Sequence, residues 1–160
     1  FERLRQAAER GGGAVGTFAA DLNELLVEIY RNIEILEESE LKKSRLNLSI
    51  SEIHLIELIA KAGGGMTVSE IAERLKVTRP SVTVAVNKLV QKGYCEKRRR
   101  EDDGRAVAVA LTKAGRKVEA FHARCHRSMI REISDDLTEN EKAELLRTMS
   151  RINTYFRTKI

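Results

Sequence analysis

The feature that most constrains this chain is a pair of short predicted helices joined by a tight turn. In "MTVSEIAERLKV" (66–77), Thr67 and Glu70 have the spacing of a capping box, which marks the start of a helix. In "TRPSVTVAVNKLVQKGY" (78–94), Pro80 is the only proline of the chain and falls in a first helical turn, where its missing N–H costs nothing. This pattern predicts a helix-turn-helix, whose second helix enters the major groove of DNA by its N-terminal residues.

The side chains of this second helix suit the reading of DNA. Thr78 is its predicted N-cap, and Gly93 is predicted to end it. Hydroxyl groups can bond several bases, whereas asparagine can pair with adenine, and arginine with guanine, through two hydrogen bonds. The residues of this helix that we predict to contact DNA are Thr78, Arg79, Pro80, Ser81, Thr83, Asn87 and Lys88. Base contacts are assigned to Arg79, Ser81, Thr83 and Asn87, and phosphate contacts to Lys88, Lys92 and Arg99.

A predicted β-hairpin follows the helix and forms a charged wing. "YCEKRR" (94–99) and "RAVAVAL" (105–111) are short extended runs on either side of an acidic, glycine-containing loop. Arg105 can reach into the minor groove, and Asp103 can hold its guanidinium in a fixed orientation. In the alternative interpretation the acids only solvate a tight turn. The wing residues that we predict to contact DNA are Arg98, Arg99, Arg100, Asp103 and Arg105.

The positive charge of the chain is concentrated in the same region. Residues 74–105 hold ten basic and four acidic side chains, a net charge of +6, whereas the whole chain carries +5, so the remainder carries −1. A local basic patch is typical of a nucleic-acid footprint, and a solvated charged face is the alternative. Only 4% of the residues are aromatic, which does not favour a base-stacking platform for single strands.

The composition indicates a globular protein without a membrane partner. Hydrophobic residues make up 42% and charged residues 33% of the 160 residues. No apolar run is long enough to cross a membrane and no signal peptide opens the sequence, so we expect a cytoplasmic protein. Cys95 and Cys125 are too few for a disulfide framework, and reduced thiols are expected.

Long amphipathic helices are predicted on both sides of the winged helix-turn-helix. Their apolar stripes need partners, and a two-fold interface would set the spacing of two DNA half-sites. We therefore expect a mainly α fold with a small β-wing, assembled as an obligate-type homodimer through its N- and C-terminal helices. The predicted parts are a flexible tail or appended segment (1–17), an N-terminal dimerisation helix (18–48), the winged helix-turn-helix DNA-binding domain (49–111) and C-terminal dimerisation helices (112–160).

The three histidines of the chain are candidates for an effector or metal site. His122 and His126 lie four residues apart on one helical face and could converge with His54 on a tetrahedral zinc site. We favour the interpretation that His54 is a hydrogen-bonded core residue and that the helical pair is structural, so no metal ligand and no cofactor are assigned. Cys125 beside His126 is a poor nucleophile, because adjacent helical residues point about 100° apart. Redox sensing is not favoured either, because a sensing thiol needs a lowered pKa and exposure.

Three classes of protein were weighed against these motifs. The sequence has no glycine-rich phosphate loop, no Ser-His-Asp order and no paired-carboxylate motif, so we predict that the protein is not an enzyme. The main competing interpretation is a helical interaction protein whose basic wing binds an acidic partner other than DNA. A DNA-binding regulator should prefer duplex DNA with an inverted repeat over a scrambled duplex, whereas an interaction protein should not.

The order of the predicted elements and the segment "DGRAVAVALTKAGR" (103–116) resemble the MarR family of bacterial transcriptional regulators. In that family an Asp-x-Arg wing tip runs into a strand that ends in Leu-Thr-x-x-Gly. The matching residues here are Asp103, Arg105, Leu111, Thr112 and Gly115. The resemblance covers roughly residues 18–160. It implies a homodimeric winged-helix repressor that binds a pseudo-palindromic operator in double-stranded DNA.

Two branches of that family match this sequence. Residues 50–61 and 111–133 are similar to the branch that represses fatty-acid biosynthesis genes in Gram-positive bacteria, which also carries histidines at the positions of His54, His122 and His126. That resemblance implies acyl-acyl carrier protein as corepressor, with the acyl chain entering the apolar dimer interior. The zinc-uptake repressors of the family have zinc-ligating histidines at the same positions, so a zinc-responsive repressor is the alternative. We favour fatty-acid control, because that branch matches over whole segments.

Overall fold

The computed structural model of the protein describes residues 15–99 and 106–159. This described part is mainly α-helical with one small three-stranded antiparallel sheet, which confirms the predicted fold class. The chain divides into two compact units, the first ending at Ser51 and the second beginning at Glu52.

The first unit is described from Val15 onward and contains the long helix α1 (Val15–Ser44). The sequence predicted this helix from residue 18, so the last three residues of the predicted tail belong to α1, and residues 1–14 lie outside the described residues. The helix ends before Arg45, which adopts a left-handed backbone conformation with φ +56°. Several of its apolar side chains, including Leu25 and Ile29, are exposed.

The second unit contains the remaining elements of the fold. The first of these elements, a helix that begins at Ile50, starts two residues before the second unit begins at Glu52. In chain order the elements are α2 (Ile50–Lys61), β1 (Met66–Thr67), α3 (Val68–Leu75), α4 (Arg79–Gln91), β2 (Cys95–Arg99), β3 (Val107–Leu111), α5 (Lys113–Asp135) and α6 (Glu139–Arg157). The predicted helix-turn-helix thus corresponds to α3 and α4, and the predicted wing to β2 and β3.

Both helices of the helix-turn-helix begin at the predicted caps. The Thr67 hydroxyl accepts a hydrogen bond from the Glu70 N–H at 3.2 Å, and the Glu70 carboxylate accepts one from the Thr67 N–H at 2.6 Å. This reciprocal pair satisfies two of the N–H groups that the start of a helix leaves without partners. Thr78 caps α4 by accepting from the Ser81 N–H at 3.4 Å, with Pro80 in the first turn as predicted.

The wing is an antiparallel hairpin in which Cys95 pairs with Leu111 and Arg99 with Val107. A third strand, β1, pairs with the other edge of β3 and gives the sheet order β1-β3-β2. Strand β1 was not predicted, because a strand of two residues shows no alternation and the same segment carries the cap of α3. Gly65 precedes it with φ +94°, and a Cβ there would lie 2.7 Å from the Val109 carbonyl oxygen, so only glycine fits without strain.

The core of the second unit lies between the helix-turn-helix, α2 and the sheet. Burial of these apolar side chains is the main stabilising term for the unit. The side chains with least exposure come from α2, α3, α4 and β3, and they are Ile53, Ile56, Ile59, Ile71, Val86, Leu89 and Val109. Helix α4 contributes Val82, Val86 and Leu89 to this core, so these residues define its inward face. Because one face of α4 packs in this core, the opposite face of the helix is directed to solvent.

A junction between the wing and α5 holds the unit together. Thr112 is the N-cap of α5 and accepts from the Gly115 N–H at 3.1 Å, while its own hydroxyl donates to the Gly93 carbonyl at 2.7 Å. The Thr112 N–H also donates to the Tyr94 carbonyl at 3.1 Å. The residues Leu-Thr-x-x-Gly of the sequence motif therefore join the end of α4 and the base of the wing to the start of α5.

Helix α6 presents its apolar side chains to solvent in the single chain. None of its residues is buried, and Leu146, Tyr155 and Phe156 are each at least half exposed. Its N-terminus carries a capping box formed by Thr138 and Glu141, with the same spacing as Thr67 and Glu70. Among the described helices, none combines the length and the apolarity that a membrane crossing needs.

We predict that Gly115→Ala destabilises the protein, because the added Cβ would lie 2.1 Å from the Tyr94 carbonyl oxygen. Forcing extra atoms into a packed junction of this kind typically costs about 1–3 kcal/mol. The matched control is Gly64→Ala, where an added Cβ meets no atom within 4 Å. Urea unfolding of the two variants measures the free energies, and equal values would contradict this account of the junction.

Candidate nucleic-acid interface

The N-terminal half of α4 presents an exposed, basic and polar surface. Arg79 and Ser81 in its first turn are exposed, and the first turn contains no acidic residue. Lys88 follows two turns later and is also exposed. Helix N-termini carry a partial positive charge that usually attracts acidic side chains, so a basic first turn leaves this end open to an external anion. The surface matches the position predicted for the DNA-reading helix.

The hydroxyl groups at this helix end are held by local hydrogen bonds. The Thr78 and Ser81 hydroxyl oxygens lie 2.8 Å apart and share one hydrogen bond. The Thr83 hydroxyl donates to the Arg79 carbonyl oxygen at 2.9 Å. Each hydroxyl retains acceptor capacity, so these side chains offer fixed acceptors to a partner.

Asn87 is tied to the wing. Its Oδ1 atom accepts a hydrogen bond from Lys97 Nζ, on β2, at 2.8 Å. Pairing with adenine through two hydrogen bonds uses both the oxygen and the amide nitrogen of asparagine. While the bond to Lys97 persists, Asn87 therefore offers mainly its amide nitrogen, as a donor, to a base. The predicted pairing with adenine would require Oδ1 to accept a second hydrogen bond as well. The sequence analysis did not identify Lys97 as a functional residue, because it stands ten residues away in an ordinary basic run.

The predicted wing and phosphate contacts fall into three groups. Arg99 is exposed, and Arg98 is held by an ion pair with Glu96 on the same strand. Arg100, Asp103 and Arg105 lie outside the described residues. Lys92, which was predicted to contact phosphate, is exposed and pairs with the Glu52 carboxylate at 2.8 Å, joining the end of α4 to α2.

The predicted histidine cluster forms in part. His122 on α5 is buried, and its Nε2 atom lies 3.1 Å from Nε2 of His126, one turn later. His54 is exposed, and its ring centroid lies 5.6 Å from that of His122, but it takes no part in the contact between the two Nε2 atoms. The predicted core position of His54 is therefore wrong, because α2 directs Ile53, Leu55 and Ile56 into the core.

Glu57 also lies beside His122 and was not identified from the sequence. Its Oε2 atom lies 3.9 Å from His122 Nδ1, and its Oε1 atom bonds Lys61 Nζ at 2.7 Å. Partial burial alone would raise the pKa of the Glu57 carboxyl, but the hydrogen bond and charge of Lys61 and the nearby histidines lower that pKa overall. His122 thus has a carboxylate near one ring nitrogen and a second imidazole near the other, an arrangement that can bind a metal ion.

The two thiols differ in their surroundings. Cys95, at the base of the wing, is buried, and burial raises the pKa of its thiol to about 11. Cys125 on α5 is partly buried. Since the thiolate is the reactive form, the environment of Cys95 makes it an inert core residue.

Comparison with known proteins identifies the family. Residues 46–106 match the model of the MarR family. A solved structure of Streptococcus pneumoniae FabT in complex with DNA is 35% identical, and the match covers 89% of this chain and 99% of that chain with a TM-score of 0.82. The chain belongs to the MarR family.

Two curated MarR-type relatives support the same assignment. The transcriptional regulator ZitR of Lactococcus lactis subsp. cremoris is 28% identical over 91% of this chain and 92% of its own length. The transcriptional regulator AdcR of Streptococcus pneumoniae is 26% identical over 82% of this chain and 92% of its own length. The predicted MarR-family resemblance is confirmed, and the protein is a DNA-binding transcriptional regulator of the MarR type.

We predict that Cys95 resists alkylation in the native protein. A thiol with a pKa of about 11 is roughly one part in a thousand thiolate at about pH 8, and burial also blocks the reagent. Native protein would be treated with iodoacetamide and digested, and the Cys95 peptide measured by mass spectrometry. Protein treated in denaturant serves as the control, in which Cys95 should be fully modified. Rapid modification of native Cys95 would contradict its assignment to the core.

Proposed function

We propose that this MarR-type protein is a homodimeric repressor that binds a pseudo-palindromic operator, with one α4 in the major groove of each half-site. The observation that carries the proposal is the similarity to FabT in complex with DNA over 89% of the chain, which includes the helix-turn-helix. The exposed basic first turn of α4 supports the same orientation. Phosphate contacts would position the protein, and base contacts would select the sequence.

The proposed roles of the site residues follow from their exposure and bonding. Bases are read by Arg79, Ser81, Thr83 and Asn87, and Thr78 and Pro80 contact DNA at the start of the same helix. Lys88 and Arg99 contact phosphates. We propose that Arg98, Arg100, Asp103 and Arg105 act in the wing, with Arg105 in the minor groove and Asp103 orienting it. These assignments extend the fold-level similarity to individual side chains.

We propose that the N-terminal and C-terminal helices form the dimer, with residues 18–48 and 112–160 as dimerisation segments and 49–111 as the DNA-binding domain. The exposed apolar residues of α1 and α6, such as Ile29 and Leu146, support this proposal. Large apolar side chains left in water favour burial against a second copy.

We propose that the regulated genes are those of fatty-acid biosynthesis and that acyl-acyl carrier protein is the corepressor. The support is the similarity of residues 50–61 and 111–133 to repressors of those genes, together with the 35% identity to FabT. The acyl chain would enter the apolar dimer interior. Such a ligand changes DNA affinity only if it binds one conformation of the dimer more tightly than the other.

The DNA-binding proposal predicts a sequence preference that depends on Arg79. At physiological salt, the protein should bind a duplex with its inverted repeat more tightly than a scrambled duplex, measured by fluorescence anisotropy. Arg79→Ala should weaken this binding by about 1–3 kcal/mol, and Arg105→Ala by a similar amount. Arg147→Ala, which removes an exposed arginine of α6, is the control: it should bind like the wild type, provided that its mass in solution shows the same oligomeric state as the wild type. Equal affinity for both duplexes would instead support a protein-interaction role.

A zinc-responsive repressor is a second candidate, favoured by the geometry of His122 and His126. Their Nε2 atoms are 3.1 Å apart. Two nitrogens bound to one tetrahedral zinc at about 2.0–2.1 Å are separated by about 3.3 Å, so the donors fit this ion. The carboxylate of Glu57 faces the other nitrogen of His122, as carboxylates do behind many zinc-bound histidines. A bound zinc ion would stabilise the fold by joining α5, which carries both histidines, to the segments that supply the remaining ligands of the ion.

The zinc candidate predicts that protein purified from its own host carries one zinc per subunit in a native mass spectrum. The double variant His122→Asn, His126→Asn should lose the metal, because it removes two nitrogens of the site. His54→Asn tests whether the third histidine contributes. A bare dimer, with no zinc effect on operator affinity, would exclude zinc control and leave the histidines structural.

A further inference from the structure

One apolar side chain of α4 lies outside the core of the second unit. Val84 is 57% exposed, although it lies in the middle of a helix. Because each helical residue turns by about 100°, Val84 points away from the face that Val82, Val86 and Leu89 bury in the core. Valine is also a poorer helix former than alanine, lysine or glutamine, so helix stability does not explain it.

The surroundings of Val84 indicate what it faces. Side chains of a helix tilt towards its N-terminus, so Val84 covers the surface above Ser81 and Pro80, at the end of α4 proposed to enter the groove. Asn87 and Lys88 follow one turn later and are exposed on adjoining parts of the helix. A single apolar side chain thus stands among groups that hydrogen-bond or carry positive charge.

We propose that Val84 is a specificity-determining residue that packs against the C5-methyl group of a thymine in each operator half-site. In the major groove, thymine is the base that presents a methyl group. The inference rests on the proposed function, since it requires α4 to lie in that groove. An apolar protein partner is a poorer match for this surface, because Arg79 and Lys88 on either side would lose hydration without gaining an anion.

The free energy that this contact should contribute can be estimated. Burying one methyl group contributes enough free energy to change a dissociation constant about fourfold. Replacing the contacted thymine by deoxyuridine removes this methyl group alone and leaves the hydrogen-bonding groups of the base in place. The methyl group and the valine should therefore act as one pair, in which loss of either partner removes the same contribution.

The test uses the full-length protein and the inverted-repeat duplex enriched from a random duplex library. Each thymine of a half-site is replaced in turn by deoxyuridine, and dissociation constants are measured for the wild type and for Val84→Ala. Wild-type binding should weaken about fourfold at one thymine, whereas Val84→Ala should bind the two duplexes alike. Val77→Ala makes the same change at another exposed valine outside α4 and should keep the wild-type ratio.

The outcomes separate the inference from the proposed function. If an inverted repeat is enriched but Val84→Ala keeps the wild-type ratio of thymine to deoxyuridine affinity, the inference is wrong and the DNA-binding proposal stands. If no sequence is enriched, both are overturned. Thermal unfolding of Val84→Ala should match the wild type, since an exposed valine is replaced by a better helix former. Loss of all binding by a folded Val84→Ala variant, on every duplex, would also overturn the methyl-specific role.

Discussion

The second unit depends on the junction in which the first turn of α5 closes on the carbonyl groups that follow α4. Thr112 bonds the carbonyl of Gly93, and Gly115 lets the α5 backbone approach the Tyr94 carbonyl to a distance that no side chain permits. The end of α4, the base of the wing and the start of α5 are thus held at one point. A DNA-reading helix must keep its orientation to within a small angle, and this junction supplies that rigidity without a large core.

The basic residues of the region divide into those that stabilise the protein and those left for a partner. Lys92 neutralises Glu52, and Lys97 binds Asn87. Arg79 and Lys88 make no ion pair with another described residue. The net charge of residues 74–105 therefore overstates the number of cations available to phosphates. Salt dependence of binding reports the available cations rather than the total, since only contacts with phosphate release counterions.

Local signals in the sequence were sufficient for the helix-turn-helix and the wing. Capping residues act within three positions of each other, so Thr67, Thr78 and Thr138 could be assigned without tertiary information. Strand β1 and the ties between Lys92 and Glu52, and between Lys97 and Asn87, depend on residues brought together only by folding. His54 shows the same limit: it was predicted to be a core residue, but its neighbours Ile53, Leu55 and Ile56 fill the core and its imidazole is exposed.

Helix α2 gives the proposed effector region a direct physical connection to the proposed reading head. Glu57 of α2 faces His122, and Glu52, five residues earlier on the same helix, holds Lys92 at the end of α4. Five helical residues span only about 7.5 Å, so one rigid element carries both contacts. A ligand that alters the pairing of Glu57 with His122 therefore acts on the helix that anchors α4. We propose that a metal ion and an acyl chain would act in the same way, because either would change DNA affinity by shifting α2.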